Sequence, residues 1–200
     1  DRAVGTTYSL DLTALLAAPL AFAVADELSS GEPKDPIRLL DAVRRYADHT
    51  TVFCQAGGIH VPAYRRIMTF IEDGVVEVTA PADDGVFHPK VWALRFEDEA
   101  GTRRHRVVVL SRNLTFDRSW DTALVLDEAA DGTIPAAPAA DFLRALPRLA
   151  VRPLASDRAE QVEDLATSLA GVALATPEPF TSGELLPLGT GSAAWPFPER

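Results

Sequence analysis

The sequence predicts an α/β fold with antiparallel strand pairing in its middle. Helix-like apolar periodicity alternates along the chain with short runs rich in Val, Ile and aromatic residues. Residues 86–96 and 105–111 are two such strand-like runs, and the polar segment EDEAGTRR between them is typical of a hairpin tip. Hydrophobic residues make up 47% of the 200 residues, enough for one globular domain with a sizeable core.

Predicted helices and strands alternate in the first half of the chain. The helix that begins at residue 12 ends before the breaker SSGEPKDP. Pro36 stands at the start of the next helix, where its missing N–H is not needed. The predicted elements are a short strand or lead-in at 6–12, helices at 12–29 and 36–48, a strand at 50–55, a helix at 61–73 and a strand at 74–80.

After the hairpin, a strand is predicted at 122–127, followed by a linker or long loop at 128–139. Two amphipathic helices follow, at 140–150 and 157–172. We expect one domain over residues 1–175 and a linker or tail over 176–200 that leads toward a second domain. Since the chain begins with Asp1 and not with Met, we also expect it to be part of a longer protein.

Composition narrows the possible environments and partners. The apolar run at 12–25 is too short to span a bilayer and contains Pro19, so it predicts a core helix and no stable membrane insertion. The single cysteine, Cys54, excludes a disulfide framework and favours a reducing compartment, which predicts a cytoplasmic protein. With a net charge of −10, binding to nucleic acid would have to depend on a local basic patch.

Two pairs of polar residues mark the predicted hairpin, His88 with Lys90 and Ser111 with Asn113. Residues two positions apart in a strand share a face. A turn centred near the dipeptide AG, which begins at Ala100, would place His88 opposite Asn113 and Lys90 opposite Ser111. Four polar side chains would then meet on one face, where each unpaired group costs about 1–3 kcal/mol if it has no function.

These residues resemble the H-x-K and S-x-N parts of the signature of the phospholipase D superfamily, phosphodiesterases often named for their HKD motif. The motif covers residues 87–122, and we extend the resemblance over residues 6 to about 170. It implies a mixed β-sheet sandwiched between helices, with this chain as one phospholipase D-like half domain. It also implies a metal-independent hydrolase that works through a phosphohistidine, without a cofactor.

The resemblance implies a role for each polar residue of the motif. His88 is either the nucleophile or the acid that protonates the leaving oxygen. Lys90 and Asn113 bind the phosphate oxygens, and Ser111 supports their geometry. Asp121 orients an imidazole, as a carboxylate that fixes a histidine tautomer does. The sequence contains no ligand set that demands a metal ion.

One departure from the signature bears on the substrate. The superfamily signature has an aspartate five residues after the lysine, where this chain has Arg95. The tyrosyl-DNA phosphodiesterase branch of the superfamily also lacks it, and this sequence is similar to that branch in four positions. They are Ser111, Asn113, Leu114 and Trp120. The similarity favours a nuclease-like activity on nucleic acid, with Arg112 and Trp120 as substrate-binding residues.

Residues 103–120 contain five arginines and one acidic residue. This patch could attract a phosphate-rich substrate, or its arginines could be paired with acidic loops, and the sequence leaves both interpretations open. The lysine at position 90 stands out because only two of the 19 basic residues are lysines. A lysine in this position suggests a site that requires a compact charge.

Only one H-x-K motif occurs in the chain, so we expect it to supply half of an active site and to be inactive alone. The second half would come from another copy of the chain or from sequence beyond Arg200. Two alternatives to a nucleic-acid phosphodiesterase stay open. One is a phospholipid phosphodiesterase or transphosphatidylase, and the other is a catalytically degenerate module of the same fold that binds nucleic acid or assembles a larger complex.

Overall fold

A six-stranded mixed β-sheet with helices on both faces forms the centre of the molecule, which confirms the predicted fold class. The computed structural model describes residues 1–30, 36–61, 66–82 and 85–190. The strands are β1 (Arg2–Thr7), β2 (Leu10–Asp11), β3 (Thr50–Gln55), β4 (Ile59–His60), β5 (Val75–Val78), β6 (Val91–Glu97), β7 (Arg103–Leu110), β8 (Ala123–Asp127), β9 (Ile134–Pro135) and β10 (Ala173–Leu174). The helices are α1 (Leu12–Ser30), α2 (Pro36–Asp48), α3 (Thr69–Glu72), α4 (Ala137–Ala145) and α5 (Ser156–Ala170).

The strand order in the sheet is β5-β3-β1-β6-β7-β8. The three strands β1, β3 and β5 run parallel to one another, whereas β6 is antiparallel to β1 and forms the hairpin with β7. Strand β8 adds to β7 in antiparallel fashion. As a result, the carboxyl ends of β1, β3, β5 and β7 lie at the same edge of the sheet as the amino end of β6.

Each face of the sheet packs against its own pair of helices. On one face, Leu12 and Leu15 of α1 pack in a cluster with Val52 and Cys54 of β3. On the other face, α4 and α5 contribute a larger cluster that includes Phe53. Side chains of β3 alternate between the two cores, which explains why its residues are buried almost without interruption. Burial of a Leu or Phe side chain in such a core contributes about 1.5–3 kcal/mol.

Cys54 is a fully buried core residue, as the sequence predicted. Its burial raises the pKa of the thiol to about 12. A thiol with such a pKa stays protonated at neutral pH, so Cys54 contributes to packing and does not act as a nucleophile.

A buried polar network fastens α5 to the sheet. Arg95 is 2% exposed and donates hydrogen bonds to Asp164 at 2.6 Å and to Ser168 at 3.1 Å. The neighbouring His105 is also buried, and its two ring nitrogens lie 2.8 Å from Glu128 and 2.9 Å from Ser168. Arg95 therefore has a structural role, since it joins β6 to α5.

Arg158 of α5 holds the end of α2 against the start of β3. Its buried guanidinium donates hydrogen bonds to the carbonyl groups of Asp48 at 2.8 Å and Thr50 at 3.1 Å. We expect Arg158→Ala to lower the free energy of unfolding by about 2–4 kcal/mol, because it removes charge-assisted bonds and leaves buried carbonyl groups unpaired. Urea unfolding measures the loss. The exposed Arg152→Ala is the control, and equal effects of the two variants would contradict this role.

The register of the hairpin differs by one residue from the prediction. Glu97 pairs with Arg103, so the loop 98–102 is centred on Ala100 and Lys90 lies beside Leu110, not Ser111. The Asp98 carboxylate accepts hydrogen bonds from the backbone N–H groups of Ala100 and Thr102. Gly101 completes the loop at a φ of 79°, a conformation that favours glycine. These contacts fix the loop at residues 98–102, one residue away from the predicted register. The predicted facing pairs, His88 with Asn113 and Lys90 with Ser111, are therefore wrong.

Two further predictions need correction. Residues 128–139 do not form a linker, because β9 pairs with β10 and α4 begins at Ala137, with Ile134 and Ala136 buried. Their Ala, Gly and Pro content suggested a loop, but the small side chains allow close packing. The helix predicted at 61–73 is a 3-10 turn at Arg66–Met68 followed by the short α3, and its residues 62–65 lie outside the described ranges.

After β10, the described part of the segment, up to residue 190, packs against the domain. Leu185 contacts the larger hydrophobic core, and the backbone at Gly183 lies close to the side chain of Ile134. Within the described ranges, no helix combines the length and apolar character that crossing a membrane requires.

Candidate active site

The predicted site residues lie at the edge of the sheet where the parallel strands end, which we call the site edge. It is formed by Thr7 at the end of β1, Gln55 at the end of β3, Lys90 just before β6 and Leu110 at the end of β7. Thr7 is in register with Cys54, and Leu110 donates a backbone hydrogen bond to the carbonyl oxygen of Lys90 at 2.8 Å. In open α/β sheets this edge is the usual place for a ligand.

The segment 111–113 crosses the site edge from β7 to β1. After Leu110, which is bonded to Lys90, the chain reaches Leu114, whose backbone N–H donates to Thr7 Oγ1 at 3.0 Å. The carbonyl oxygen of Leu114 accepts a hydrogen bond from the N–H of Asp11 at 2.9 Å. Because β6 lies between β7 and β1, Ser111 and Asn113 pass over the amino end of β6, where the H-x-K segment lies. The S-x-N segment therefore comes to the side of the H-x-K segment by this crossing and not by cross-strand pairing.

His88 and Lys90 lie in an extended segment before β6, not in a strand as predicted. Buried Phe87 precedes them, and its N–H donates to Gln55 Oε1 at 2.7 Å. The N–H of Val91, which follows them, donates to Thr6 Oγ1 at 3.0 Å. Anchors on both sides thus fix the segment while the imidazole of His88 stays exposed.

Lys90 is 8% exposed, and its ammonium group lies under the imidazole of His88. Lys90 Nζ is 3.1 Å from each ring nitrogen of His88 and 3.2 Å from the His88 carbonyl oxygen. Because Nζ is equally close to both ring nitrogens, the ammonium group lies against the face of the ring, where its charge disfavours protonation of the imidazole. Partial burial of the ring and, after it, the charge of Lys90 lower the pKa of His88. The arrangement favours a neutral imidazole with nucleophilic character.

Tyr8 is a neighbour of the imidazole that the sequence did not reveal. Its ring centroid lies 5.1 Å from that of His88, with the two planes tilted by 52°. Tyr8 follows the last residue of β1 and is partly exposed. An aromatic residue directly after a buried strand is the signal that could have identified it.

The pKa of His88 provides a direct test of this environment. We expect the imidazole of wild-type His88 to titrate below its ordinary value of about 6.5. Lys90→Met removes a positive charge that disfavours protonation, so it should raise the pKa of His88 but leave the contribution of burial in place. NMR titration of the imidazole ring protons measures both values. An unchanged or lower pKa in Lys90→Met would contradict this electrostatic coupling.

Asp121 positions Ser111, and no imidazole of a described residue is hydrogen-bonded to it, so its role toward a second histidine stays a prediction. Ser111 Oγ donates to Asp121 Oδ1 at 2.8 Å, and the Ser111 N–H reaches the same oxygen at 3.2 Å. These bonds from Ser111 lower the pKa of Asp121. Thr122 N–H in turn donates to Ser111 Oγ at 2.8 Å. Among the described residues, the hydrogen-bond partner of the His88 ring is Lys90.

The side-chain amide of Asn113 is the next polar group of the candidate site. Its Oδ1 atom is buried, and it has no hydrogen-bond partner in the part of the chain that the structure describes. A buried amide group without a partner costs about 1–3 kcal/mol. Rotation of the amide by about 180° exchanges its oxygen and its NH2 group, so either can face a ligand at this position.

Arg112 and Trp120 lie in the loop between β7 and β8 but differ in their surroundings. Arg112 donates to the Asp117 carbonyl oxygen at 2.6 Å and forms an ion pair with the Asp117 carboxylate at 2.9 Å. Hydrogen bonds to Asp117, first from Ser119 and then from Thr115, lower the pKa of this carboxyl group to about 2. Trp120, in contrast, is 98% exposed. Asp117 thus stabilises the loop by its contacts, and the indole of Trp120 on this loop is exposed to solvent.

Most of the arginine patch is paired with acidic groups. Three of its five members make ion pairs, Arg103 with Glu97, Arg106 with Asp127 and Arg112 with Asp117. Arg104 and Arg118 are exposed and make no ion pair with any described residue. Of the two interpretations that the sequence left open, pairing with acidic groups accounts for the larger part of the patch.

Comparisons with known proteins were made for both the sequence and the structure. No family model matches the sequence, and no curated protein matches it. Among solved structures, the chain is similar to a crystal structure of a mutant of yeast tyrosyl-DNA phosphodiesterase, with 17% identity and a TM-score of 0.45. The match covers 86% of this chain and 34% of the yeast chain. The chain therefore spans about a third of the length of that protein.

Proposed function

We propose that this chain is half of a metal-independent phosphodiesterase that acts on nucleic-acid phosphodiesters through a phosphohistidine. The observation that carries the proposal is the contact between Lys90 Nζ and the His88 ring at 3.1 Å, at the site edge crossed by Ser111 and Asn113. A buried ammonium beside a solvent-exposed imidazole combines a nucleophile with a charge that binds an anion. A phosphodiester requires both, because its negative charge repels nucleophiles.

In the first step, a ring nitrogen of His88 attacks phosphorus, and the bond from phosphorus to the leaving oxygen breaks. Lys90 transfers its hydrogen bond from the imidazole to a nonbridging oxygen, and the Asn113 amide donates to another. The leaving oxygen takes a proton from a second histidine. In the second step, water attacks phosphorus, the second histidine accepts the proton, and the nitrogen–phosphorus bond breaks to restore neutral His88.

The mechanism requires two histidines on opposite sides of the phosphorus. An in-line displacement separates the attacking atom from the leaving oxygen, so His88 cannot also protonate the leaving group. His49, His60 and His105 have no lysine two residues later, and His105 is buried in the network with Glu128. The second histidine therefore comes from another copy of this motif, either in a partner chain or in a longer polypeptide.

Trp120 and Arg118 favour nucleic acid as the substrate. An exposed indole offers a flat surface on which an unpaired base stacks, which contributes about 1–3 kcal/mol. Arg118, which has no ion pair with a described residue, lies two positions away and can contact a phosphate. Both residues are on the loop that carries Ser111 and Asn113, close to the position of the scissile phosphate.

Competition during hydrolysis of a chromogenic phosphodiester tests both the chemistry and the substrate class. The complete protein should release the chromophore, and single-stranded DNA should inhibit this release at lower concentration than anionic liposomes do. Stronger inhibition by liposomes would favour the phospholipid alternative. No release by the complete protein would favour a degenerate module.

A further inference from the structure

Two consecutive threonines at the end of β1 each bond a backbone group of the candidate site. Thr6 and Thr7 are 4% and 2% exposed, and as neighbours in a strand they point to opposite faces. Thr6 Oγ1 accepts a hydrogen bond from the N–H of Val91 at 3.0 Å and donates one to its carbonyl oxygen at 3.3 Å. Thr7 Oγ1 accepts a hydrogen bond from the N–H of Leu114, also at 3.0 Å. One strand end is thus bonded to both the H-x-K segment and the S-x-N segment.

The hydroxyl group of Thr6 fixes the peptide group that follows Lys90. The N–H of this peptide group donates to Thr6, and its carbonyl oxygen accepts the N–H of Leu110 at 2.8 Å. The backbone pairing between β1 and β6 ends at Gly5 and Trp92, so the side chain of Thr6 replaces a main-chain partner at the next position. A planar peptide group that is bonded at both of its polar atoms has a fixed orientation. The direction in which the Lys90 side chain leaves the backbone is therefore fixed as well.

The hydroxyl group of Thr7 acts in the same way on the peptide group that follows Asn113. The N–H of this peptide group donates to Thr7, and its carbonyl oxygen accepts the N–H of Thr115 at 2.9 Å. Thr7 donates its only hydroxyl proton to the carbonyl oxygen of Ser9 at 2.8 Å, so its oxygen is available as an acceptor. The backbone next to the Asn113 amide is therefore oriented by a side chain of β1.

We infer that Thr6 and Thr7 are positioning residues that set the placement of Lys90 relative to Asn113. The inference rests on the proposed function, in which the Lys90 ammonium and the Asn113 amide bind oxygens of one phosphate group. Donors on two separate segments bind such a group best when their spacing is fixed in advance. Burial of a hydroxyl group is unfavourable unless it is hydrogen-bonded, so valine would serve packing alone at both positions.

The pKa of His88 reports the position of Lys90 and does not depend on catalysis. Thr6→Val leaves the N–H of Val91 without its acceptor, whereas the bond at Phe87 still holds the other side of the segment. The ammonium group should then move away from the ring, and the pKa of His88 measured by NMR titration should rise, by no more than in Lys90→Met. In the Lys90→Met background, Thr6→Val should cause no further rise.

Binding of dimethyl phosphate reports the position of Asn113. This phosphodiester anion has no good leaving group, so an NMR titration of the chain measures binding alone. In Thr7→Val we expect the Kd to rise about two- to tenfold, because the hydrogen bond from the Asn113 amide to the phosphate weakens. The pKa of His88 should keep its wild-type value in this variant. Thr6→Ser and Thr7→Ser retain the hydroxyl group and should restore the wild-type pKa and Kd.

Thr50→Val is the matched control for both valine variants. Thr50 is also buried, and its hydroxyl group donates to the carbonyl oxygen of Tyr46 at 2.7 Å, but it lies at the opposite edge of the sheet. The control should lose stability and leave the pKa of His88 and the Kd unchanged. If a valine variant does not fold, the cysteine variant at the same position takes its place, because a thiol is a weak acceptor.

Effects of Thr6→Val on the pKa and of Thr7→Val on the Kd that do not exceed those of Thr50→Val would overturn the inference. A further rise of the pKa in the Lys90→Met background would overturn the role of Thr6. If the wild-type chain does not bind dimethyl phosphate, the phosphate site and with it the role of Thr7 are wrong. If both effects are found but the complete protein hydrolyses no phosphodiester, the proposed function alone fails, since neither measurement depends on catalysis.

Discussion

His88→Ala is expected to reduce phosphodiester hydrolysis by the complete enzyme by about 10³-fold to 10⁶-fold. The variant removes the atom that attacks phosphorus, and neither Lys90 nor water at the site can form the phosphohistidine in its place. Stability should change by less than about 0.5 kcal/mol, because the side chain is exposed and the segment is anchored through Phe87 and Val91. A hydrolytic assay together with urea unfolding measures both effects.

His60→Ala is the matched control for His88→Ala, since His60 is also exposed and lies in the short strand β4. We expect this variant to retain full activity. A covalent phosphate on His88, trapped by alkaline quenching and located by mass spectrometry, would identify the nucleophile directly. Chelation by EDTA should not change the rate, because the proposed steps use an imidazole, an ammonium and an amide. Activity that survives in His88→Ala, or that is lost on chelation, would exclude this mechanism.

The isolated 200-residue chain is expected to show no hydrolysis above background as a monomer. The physical reason is the in-line geometry, which requires a second imidazole beside the leaving oxygen. If the second histidine comes from another copy, specific activity should rise with protein concentration as the dimer forms, and excess His88→Ala chain should suppress wild-type activity. If it comes from a longer polypeptide, only a chain extended past Arg200 should be active.

Light scattering during the assay gives the mass of the active species and separates these two arrangements. The control for the mixing experiment is excess His60→Ala chain, which should support activity as wild type does. A monomer of the 200-residue chain that hydrolyses the diester at the full rate would disprove the half-site interpretation. In that case the acid for the leaving group lies within this chain.

Local sequence patterns determined most of the secondary structure. The helix at 36–48 and the strand at 50–55 have the predicted bounds, because Pro36 marks a helix start and the strand has a short run of β-forming residues. The H-x-K and S-x-N spacing also predicted the two segments that reach the same edge of the sheet, and their joint role in a site stays a prediction. In these cases the information is local, since it depends on the periodicity and turn preferences of neighbouring residues.

Tertiary contacts decided what local patterns could not. The Asp98 side chain fixed the loop length of the hairpin and so shifted its register by one residue. The hydrogen bond from Leu114 to Thr7 holds the S-x-N segment across the amino end of β6, next to a segment with which it does not pair. The sequence could not indicate this crossing, because it joins residues that are 107 positions apart. The hydrogen bond between Asp121 and Ser111 likewise depends on the path of the folded loop. The two residues come together only when β7 and β8 pair.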